Sequence, residues 1–143
     1  MSEVYDYKQI AHEHDVLKSR VDQAYSTVMF DSTINIYTNL SQGNMGAWTG
    51  IDLSAHVPSN VDSIIAQLYL RPSSNAYWRG RLSRTGTVAN ANLDIYSFNI
   101  NRYVVNMGHQ KLSSTTVYYL FERLSGAGLS TAQIRLYGYT VPI

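Results

Sequence analysis

Histidines are the first residues in this chain that could carry chemistry, because imidazoles bind metals and exchange protons near pH 7. The chain has four of them. His12 and His14 stand two positions apart, which on a helix turns their side chains about 200° from each other, so they cannot share one ion. His56 and His109 stand alone in turn-rich stretches. The sequence therefore predicts no metal site and no cofactor.

Other catalytic patterns are also missing. The only acidic residues beyond position 31 are Asp52, Asp62, Asp94 and Glu122, and nothing in their spacing pairs them for glycoside hydrolysis. No Gly-x-Ser-x-Gly elbow presents a serine nucleophile, and the glycine pair in 126–128 lacks the Lys-Ser/Thr of a phosphate loop. We predict no catalytic residue, which makes a small enzyme the least favoured interpretation.

Arginine and tyrosine form a more informative group. Five of these residues occupy the outward parity of two neighbouring predicted strands: Tyr69, Arg71, Tyr77, Arg79 and Arg81. Both residue types are enriched at contact hot spots, and a tyrosine ring can also stack on a sugar. We predict that the five form one surface contact patch for a protein, a sugar or an acidic polymer; an ordinary solvated face is the alternative.

Tyrosine is over-represented, with 12 Tyr against 3 Phe and 2 Trp, while charged residues make up only 15% of the chain. Six tyrosines fall on the outward parity of predicted strands: Tyr37, Tyr69, Tyr77, Tyr118, Tyr137 and Tyr139. Tyrosine suits half-wet interfaces, and interface cores are depleted in charge. The excess therefore predicts contact between chains.

The composition changes along the chain. Residues 1–42 contain neither Gly nor Pro, and residues 1–31 carry a net charge of about −3 against +4 for the remainder. This break predicts an N-terminal α-helical segment, residues 1–32, followed by a β domain, residues 33–143.

A heptad seam runs through the predicted helix with alternating spacings of three and four. It consists of Tyr7, Ile10, His14, Leu17, Val21, Ala24 and Val28. A lone helix with so narrow an apolar stripe is marginal in water. The seam therefore predicts either a coiled-coil stalk that joins two or three copies, with a homotrimer favoured, or a helix packed on its own domain. His14 would set the register or, in a trimer, hold an ion.

From residue 33 the apolar period becomes two. Ile64, Ala66 and Leu68, for example, alternate with more polar neighbours. Turn-forming stretches such as 41–46 and 72–75 separate seven or eight such runs, and no helical pattern lies between them. This pattern predicts a mainly β protein, an antiparallel β-sandwich of jelly-roll type.

Composition also excludes several partner classes. A net charge of +1 gives no support to nucleic-acid binding. No apolar run reaches the length of a membrane-spanning helix, no Cys is present to form disulfides, and no secretory signal is visible. We therefore expect a protein made in the cytoplasm.

Two short stretches resemble a known family. The residues from Trp48 to Pro58 (WTGIDLSAHVP) resemble the W-x-x-I-D-L-S-x-x-V-P opening of small β-sandwich domains in tailed-phage virion proteins. The stretch from Ala132 to Tyr139 (AQIRLYGY) is similar to their last strand. The resemblance implies a virion surface protein made in the host cytoplasm, usually trimeric, and identifies no catalytic residue.

The resemblance leaves the place in the virion open. The small size favours a capsid decoration or head-fibre protein that binds the particle surface as an oligomer. The alternative is a receptor- or glycan-binding tip of a tail fibre. The implied partners are further copies of the chain, phage capsid or tail proteins, and in the second case a host surface glycan.

Overall fold

The chain is described by a computed structural model over residues 12–13, 25–42, 47–72, 76–97, 104–126 and 130–143. These ranges contain eight strands and one short 3₁₀ turn. The strands are β1 (Tyr25–Gln42), β2 (Thr49–Asp52), β3 (Ser63–Pro72), β4 (Ala76–Ser83), β5 (Ala91–Ser97), β6 (Val104–Lys111), β7 (Thr116–Gly126) and β8 (Ser130–Pro142), and the turn is Val88–Asn90. The prediction of a mainly β chain is confirmed.

The eight strands form two antiparallel sheets of four strands each. The first sheet has the order β1-β8-β3-β6, and the second has the order β2-β7-β4-β5. Eight strands divided between two sheets in this way form a jelly roll. The predicted two-sheet sandwich is confirmed.

The core lies between the sheets and follows the period-two pattern of the sequence. Ile64, Leu68 and Ile134 of the first sheet are fully buried. Trp78 and Phe121 are the largest fully buried side chains of the second sheet. Burial of each large apolar side chain stabilises the fold by roughly 1.5–3 kcal/mol, so the inward positions of the strands hold the two sheets together.

Side chains from β6 close one edge of the sandwich against β5. Gln110 is fully buried, and its Oε1 accepts hydrogen bonds from the backbone N–H groups of Asn92 at 2.9 Å and Leu93 at 3.2 Å. Asn106 donates from Nδ2 to the carbonyl oxygen of Asp94 at 2.6 Å. These bonds satisfy backbone groups of an edge strand that has no strand neighbour on that side. They also join β5 of the second sheet to β6 of the first.

The predicted N-terminal helix requires a correction. β1 begins at Tyr25, and Val28, which was predicted on the helical seam, pairs with Tyr139 of β8. Residues 25–38 are rich in aromatic and β-branched side chains, which favour strands. The boundary predicted at 32/33 therefore falls inside a strand.

The rest of the predicted helix lies outside the described residues, apart from His12 and Glu13. Its remaining seam positions lie outside them: Tyr7, Ile10, His14, Leu17, Val21 and Ala24. Only His12 and Glu13 of the first 24 residues are described, both with helical conformation. Self-association through this segment stays a prediction.

Two of the six tyrosines predicted to point outward point into the sandwich. Tyr37 stacks on Phe121 with ring centroids 5.6 Å apart, and burial, with a second contribution from Tyr119, raises the pKa of Tyr37 to about 12. Tyr139 pairs with the core residue Ile64. Register shifts in β1 and β8 precede these tyrosines. Because a bulge inserts one residue, it moves later side chains to the other face.

Candidate ligand-binding face

The five residues predicted to form one contact patch are divided between the two sheets. Tyr69 and Arg71 lie on β3 in the first sheet, whereas Tyr77, Arg79 and Arg81 lie on β4 in the second. The outer faces of a sandwich point away from each other, so the prediction of a single patch is wrong. The parity was correct on each strand, but the connection between β3 and β4 carries the chain from one sheet to the other.

Strand pairing adds three residues to the β4 group. Arg79 pairs with Tyr96 on β5 and with Glu122 on β7, and Arg81 pairs with Asp94 on β5. We call the resulting set the second face: Tyr77, Arg79, Arg81, Asp94, Tyr96 and Glu122. The sequence did not predict the three partners in this role, since only the register of strands distant in sequence puts them beside the arginines.

One half of the second face is an aromatic platform. The rings of Tyr77 and Tyr96 stack with centroids 5.9 Å apart and an angle of 28° between their planes. The guanidinium carbon of Arg79 lies 4.9 Å from the centroid of the Tyr96 ring, a cation–π distance. Arg79 Nη1 lies 3.5 Å from Glu122 Oε1. Tyr96 is 39% exposed, so part of the platform is accessible to solvent.

The other half is the ion pair of Arg81 and Asp94, which are too far apart to form a hydrogen bond. Arg81 Nε lies 3.7 Å from Asp94 Oδ2, which is too long for a hydrogen bond. Burial raises the pKa of the Asp94 carboxyl above its ordinary value of 3.8, although the charge of Arg79 and a hydrogen bond with Tyr96 act in the opposite direction. The protein therefore solvates this carboxylate less well than water does.

Four buried side-chain atoms of the described residues have no hydrogen-bond partner. They are Trp78 Nε1, Arg79 Nε, Arg81 Nε and Asp94 Oδ1. Native proteins leave few such atoms, and each costs roughly 1–3 kcal/mol. Three of the four belong to the second face, so the unsatisfied polar atoms of the described residues are concentrated there.

A loop bounds one end of the second face. The backbone of Gly86 has a φ of +77°, and a Cβ there would lie 3.4 Å from the Tyr118 ring and 3.5 Å from the Cβ of Trp48. The hydroxyl of Ser83 accepts hydrogen bonds from the N–H groups of Gly86 and Thr87, each at 3.1 Å. These bonds hold the loop next to Tyr118, and Trp48 lies beside it.

The outer face of the first sheet is built differently. We call it the first face, and it comprises Gln67, Tyr69, Arg71, Gln133, Arg135 and Tyr137. Tyr137 donates to Gln67 Oε1 at 3.4 Å, and Arg135 Nη2 donates to Gln133 Oε1 at 3.3 Å. Polar groups on this face therefore bond to one another.

The histidines do not gather into a site. His56 is exposed, and His109 Nδ1 lies 3.4 Å from the Ser63 hydroxyl. Within the described part of the chain, no three His, Asp or Glu side chains are arranged to hold a metal ion. The same part contains no helix with the length and hydropathy needed to cross a membrane.

Comparison with known proteins identifies no family. No protein-family model matches the chain, and no curated protein matches it. The CBM22-1 xylan-binding domain of Xyn10C from Paenibacillus barcinonensis is similar with a TM-score of 0.42 and 14% identity, over 80% of this chain and 86% of that one.

Two further solved structures show the range of similar proteins. The CBM6cm-2 carbohydrate-binding module of Cellvibrio mixtus lichenase 5A, in complex with cellotriose, has a TM-score of 0.38 and 12% identity over 78% of this chain and 95% of that one. The coat protein of Tobacco streak virus has a TM-score of 0.33 and 9% identity over 78% and 85%. Similarity at this level concerns the β-sandwich alone.

Proposed function

We propose that this chain is a glycan-binding β-sandwich module and that the second face is its binding site. The observation that carries the proposal is the open Tyr77–Tyr96 stack beside the Arg79–Glu122 pair. A tyrosine ring offers an apolar surface to the C–H groups of a pyranose. Guanidinium and carboxylate groups alongside it donate to and accept from the sugar hydroxyls.

The composition of the second face favours a small polar ligand over a protein partner. Protein interfaces have an apolar centre depleted in charge. The second face instead has four charged side chains and two tyrosines. A few placed polar groups beside aromatic rings are typical of a small-molecule site.

The proposal corresponds to the receptor- or glycan-binding tip that the sequence offered as its alternative. If several copies associate, their individually weak sites would together bind a glycan-covered surface more tightly, because the first contact raises the effective concentration of the others. Capsid decoration or a head fibre stays a prediction. Antibody labelling of intact particles would test it, with label on the head expected for decoration and label on the tail for a tip.

The binding test is a glycan array followed by calorimetry on the full chain. Tyr96→Ala should weaken binding of the best glycan about tenfold or more, because a lost stacking contact of about 1.4 kcal/mol equals that factor. The matched control is Tyr69→Ala on the first face, which should bind as the wild type does.

Two results would overturn the proposal. One is a wild-type protein that binds no glycan on the array. The other is an equal loss of affinity in Tyr69→Ala and Tyr96→Ala. Circular dichroism and thermal melting of each variant would establish that both remain folded.

A further inference from the structure

Arg81 and Asp94 are two residues of the second face whose hydrogen bonding is incomplete. The Arg81 side chain is only 10% exposed, and its Nε atom makes no hydrogen bond with any described residue. Asp94 Oδ1 is likewise buried and without a hydrogen-bond partner among the described residues. The two residues are strand neighbours, and their 3.7 Å contact joins Arg81 Nε to the other carboxylate oxygen, Asp94 Oδ2. Two neighbouring side chains of the second face therefore each carry a polar atom without a hydrogen bond, a donor on Arg81 and an acceptor on Asp94.

The chemistry of the two atoms limits what can complete them. Arg81 Nε–H is a donor only, and an ionised Asp94 Oδ1 is an acceptor only. A group that bonds to both must accept a hydrogen bond and donate one. A hydroxyl does both while remaining uncharged, whereas an ionised sulfate or carboxylate can only accept and an ammonium can only donate.

The charges of the surrounding side chains point the same way. Arg79 and Arg81 are balanced by Asp94 and Glu122, which lie 3.5–3.7 Å from them. An anionic ligand would be attracted by the arginines but repelled by the two carboxylates. It would also have to separate Glu122 from Arg79 and leave that carboxylate without its partner.

We infer that Arg81 and Asp94 determine specificity by selecting an uncharged glycan. One hydroxyl of the ligand accepts from Arg81 Nε and donates to Asp94 Oδ1. The Asp94 side chain is 40% exposed, so it can turn to admit the hydroxyl. This inference rests on the proposed glycan-binding function and adds the charge class of the ligand.

The experiment compares a neutral glycan with an anionic counterpart of the same core, such as lactose with 3′-sialyllactose, or the best array glycan with its sulfated form. We expect wild type to prefer the neutral member about tenfold or more. Asp94→Asn removes the negative charge and should shrink this preference several-fold, chiefly because the anionic glycan binds better. Asp62→Asn, which changes a carboxylate near Lys111 of β6, should leave the preference unchanged.

A second variant covers the case in which Asp94→Asn does not fold. Arg81→Lys keeps the positive charge but has no Nε donor in the guanidinium position. We expect this variant to bind the neutral glycan about tenfold more weakly while its melting curve remains cooperative. Unchanged affinity in a folded Arg81→Lys would overturn the inference.

The inference and the proposed function can fail separately. A wild type that binds no glycan overturns the proposed function. Binding that needs Tyr96 but favours the anionic member overturns the inference and leaves the proposed function in place. If Asp94→Asn leaves the preference for the neutral glycan unchanged, the inference is likewise overturned and the proposed function stays in place.

Discussion

The two outer faces of the sandwich each present two arginines and two tyrosines, but they differ in how polar groups are satisfied. On the first face, Tyr137 bonds to Gln67 and Arg135 bonds to Gln133. On the second face, charged pairs stand 3.5 and 3.7 Å apart, and buried Nε and Oδ1 atoms have no partner among the described residues. Of the residues that make up the two faces, only those of the second face include carboxylates.

This difference indicates different roles for the two faces. Polar groups that satisfy one another rigidify a surface and need nothing further. Buried polar groups left unsatisfied cost stability and persist where another contact repays the cost. The contrast supports the proposal that the second face contacts a ligand while the first face supports the fold, and three comparisons of folding stability test it.

The largest expected difference in stability is between substitutions on the inner and the outer side of β4. Trp78→Ala opens a cavity in the core and should lower the free energy of unfolding by about 3–5 kcal/mol. Tyr77→Ala, one position earlier on the second face, should lower it by about 1 kcal/mol, the worth of one aromatic pair. Urea denaturation followed by circular dichroism gives both values. Comparable losses would show that the second face supports the fold, and the contrast would fail.

An effect of intermediate size is expected when one polar group is removed on each side of the sandwich. Thr140 is buried, and its hydroxyl bonds to that of Ser63 at 2.5 Å on the outer side of the first sheet, so Thr140→Val should cost about 1–2 kcal/mol. Glu122→Gln on the second face weakens an ion pair whose side chains are 22% and 24% exposed, and it should cost about 0–1 kcal/mol. Chemical denaturation of both variants provides the comparison. A larger loss in Glu122→Gln would reverse the assignment of the faces.

The smallest effect is a pH dependence. Because burial raises the pKa of Asp94 above 3.8 in the folded protein, the folded state holds that proton more tightly than the unfolded chain. This group therefore lowers stability as the pH rises from 3.8 through the raised pKa. Asp94→Asn should remove that decline, measured as the melting temperature at a series of pH values.

Asp52 provides the opposite case. The backbone N–H of Ser54 bonds to the Asp52 carboxylate and holds its pKa below 3.8. Its stabilising contribution is therefore present above 3.8 and lost as the pH falls through the lowered pKa. Asp52→Asn should remove an acid-side loss of stability. The same pH response in both variants would contradict the different environments of the two carboxyls.

Much of the fold could be predicted from local pattern. Alternation on β3 correctly placed Ile64 and Leu68 in the core and Tyr69 and Arg71 on the other side. The turn predicted at 72–75 falls at the break between β3 and β4, whereas the start of the turn predicted at 41–46 belongs to β1. The predictions from alternation succeeded because the period of two is a property of the extended backbone itself.

The candidate site could be predicted only in part. Arg79 and Arg81 were identified by residue type and parity, but Asp94, Tyr96 and Glu122 were not assigned to them. Tyr37 and Tyr139 were placed on the wrong side because bulges change parity. Neither a bulge nor a register leaves a reliable mark within the strand that carries it, since both depend on the neighbouring strand.

The amino-acid sequence alone therefore specifies the strand class, the inward residues of most strands and the excess of tyrosine and arginine. Tertiary pairing specifies which residues become neighbours: it separates Arg71 from Arg79 by the thickness of the sandwich and brings Tyr96 and Glu122 to the two sides of Arg79. The physical reason is that side-chain direction follows from local backbone geometry, whereas neighbours across strands follow from hydrogen bonds between segments distant in the chain.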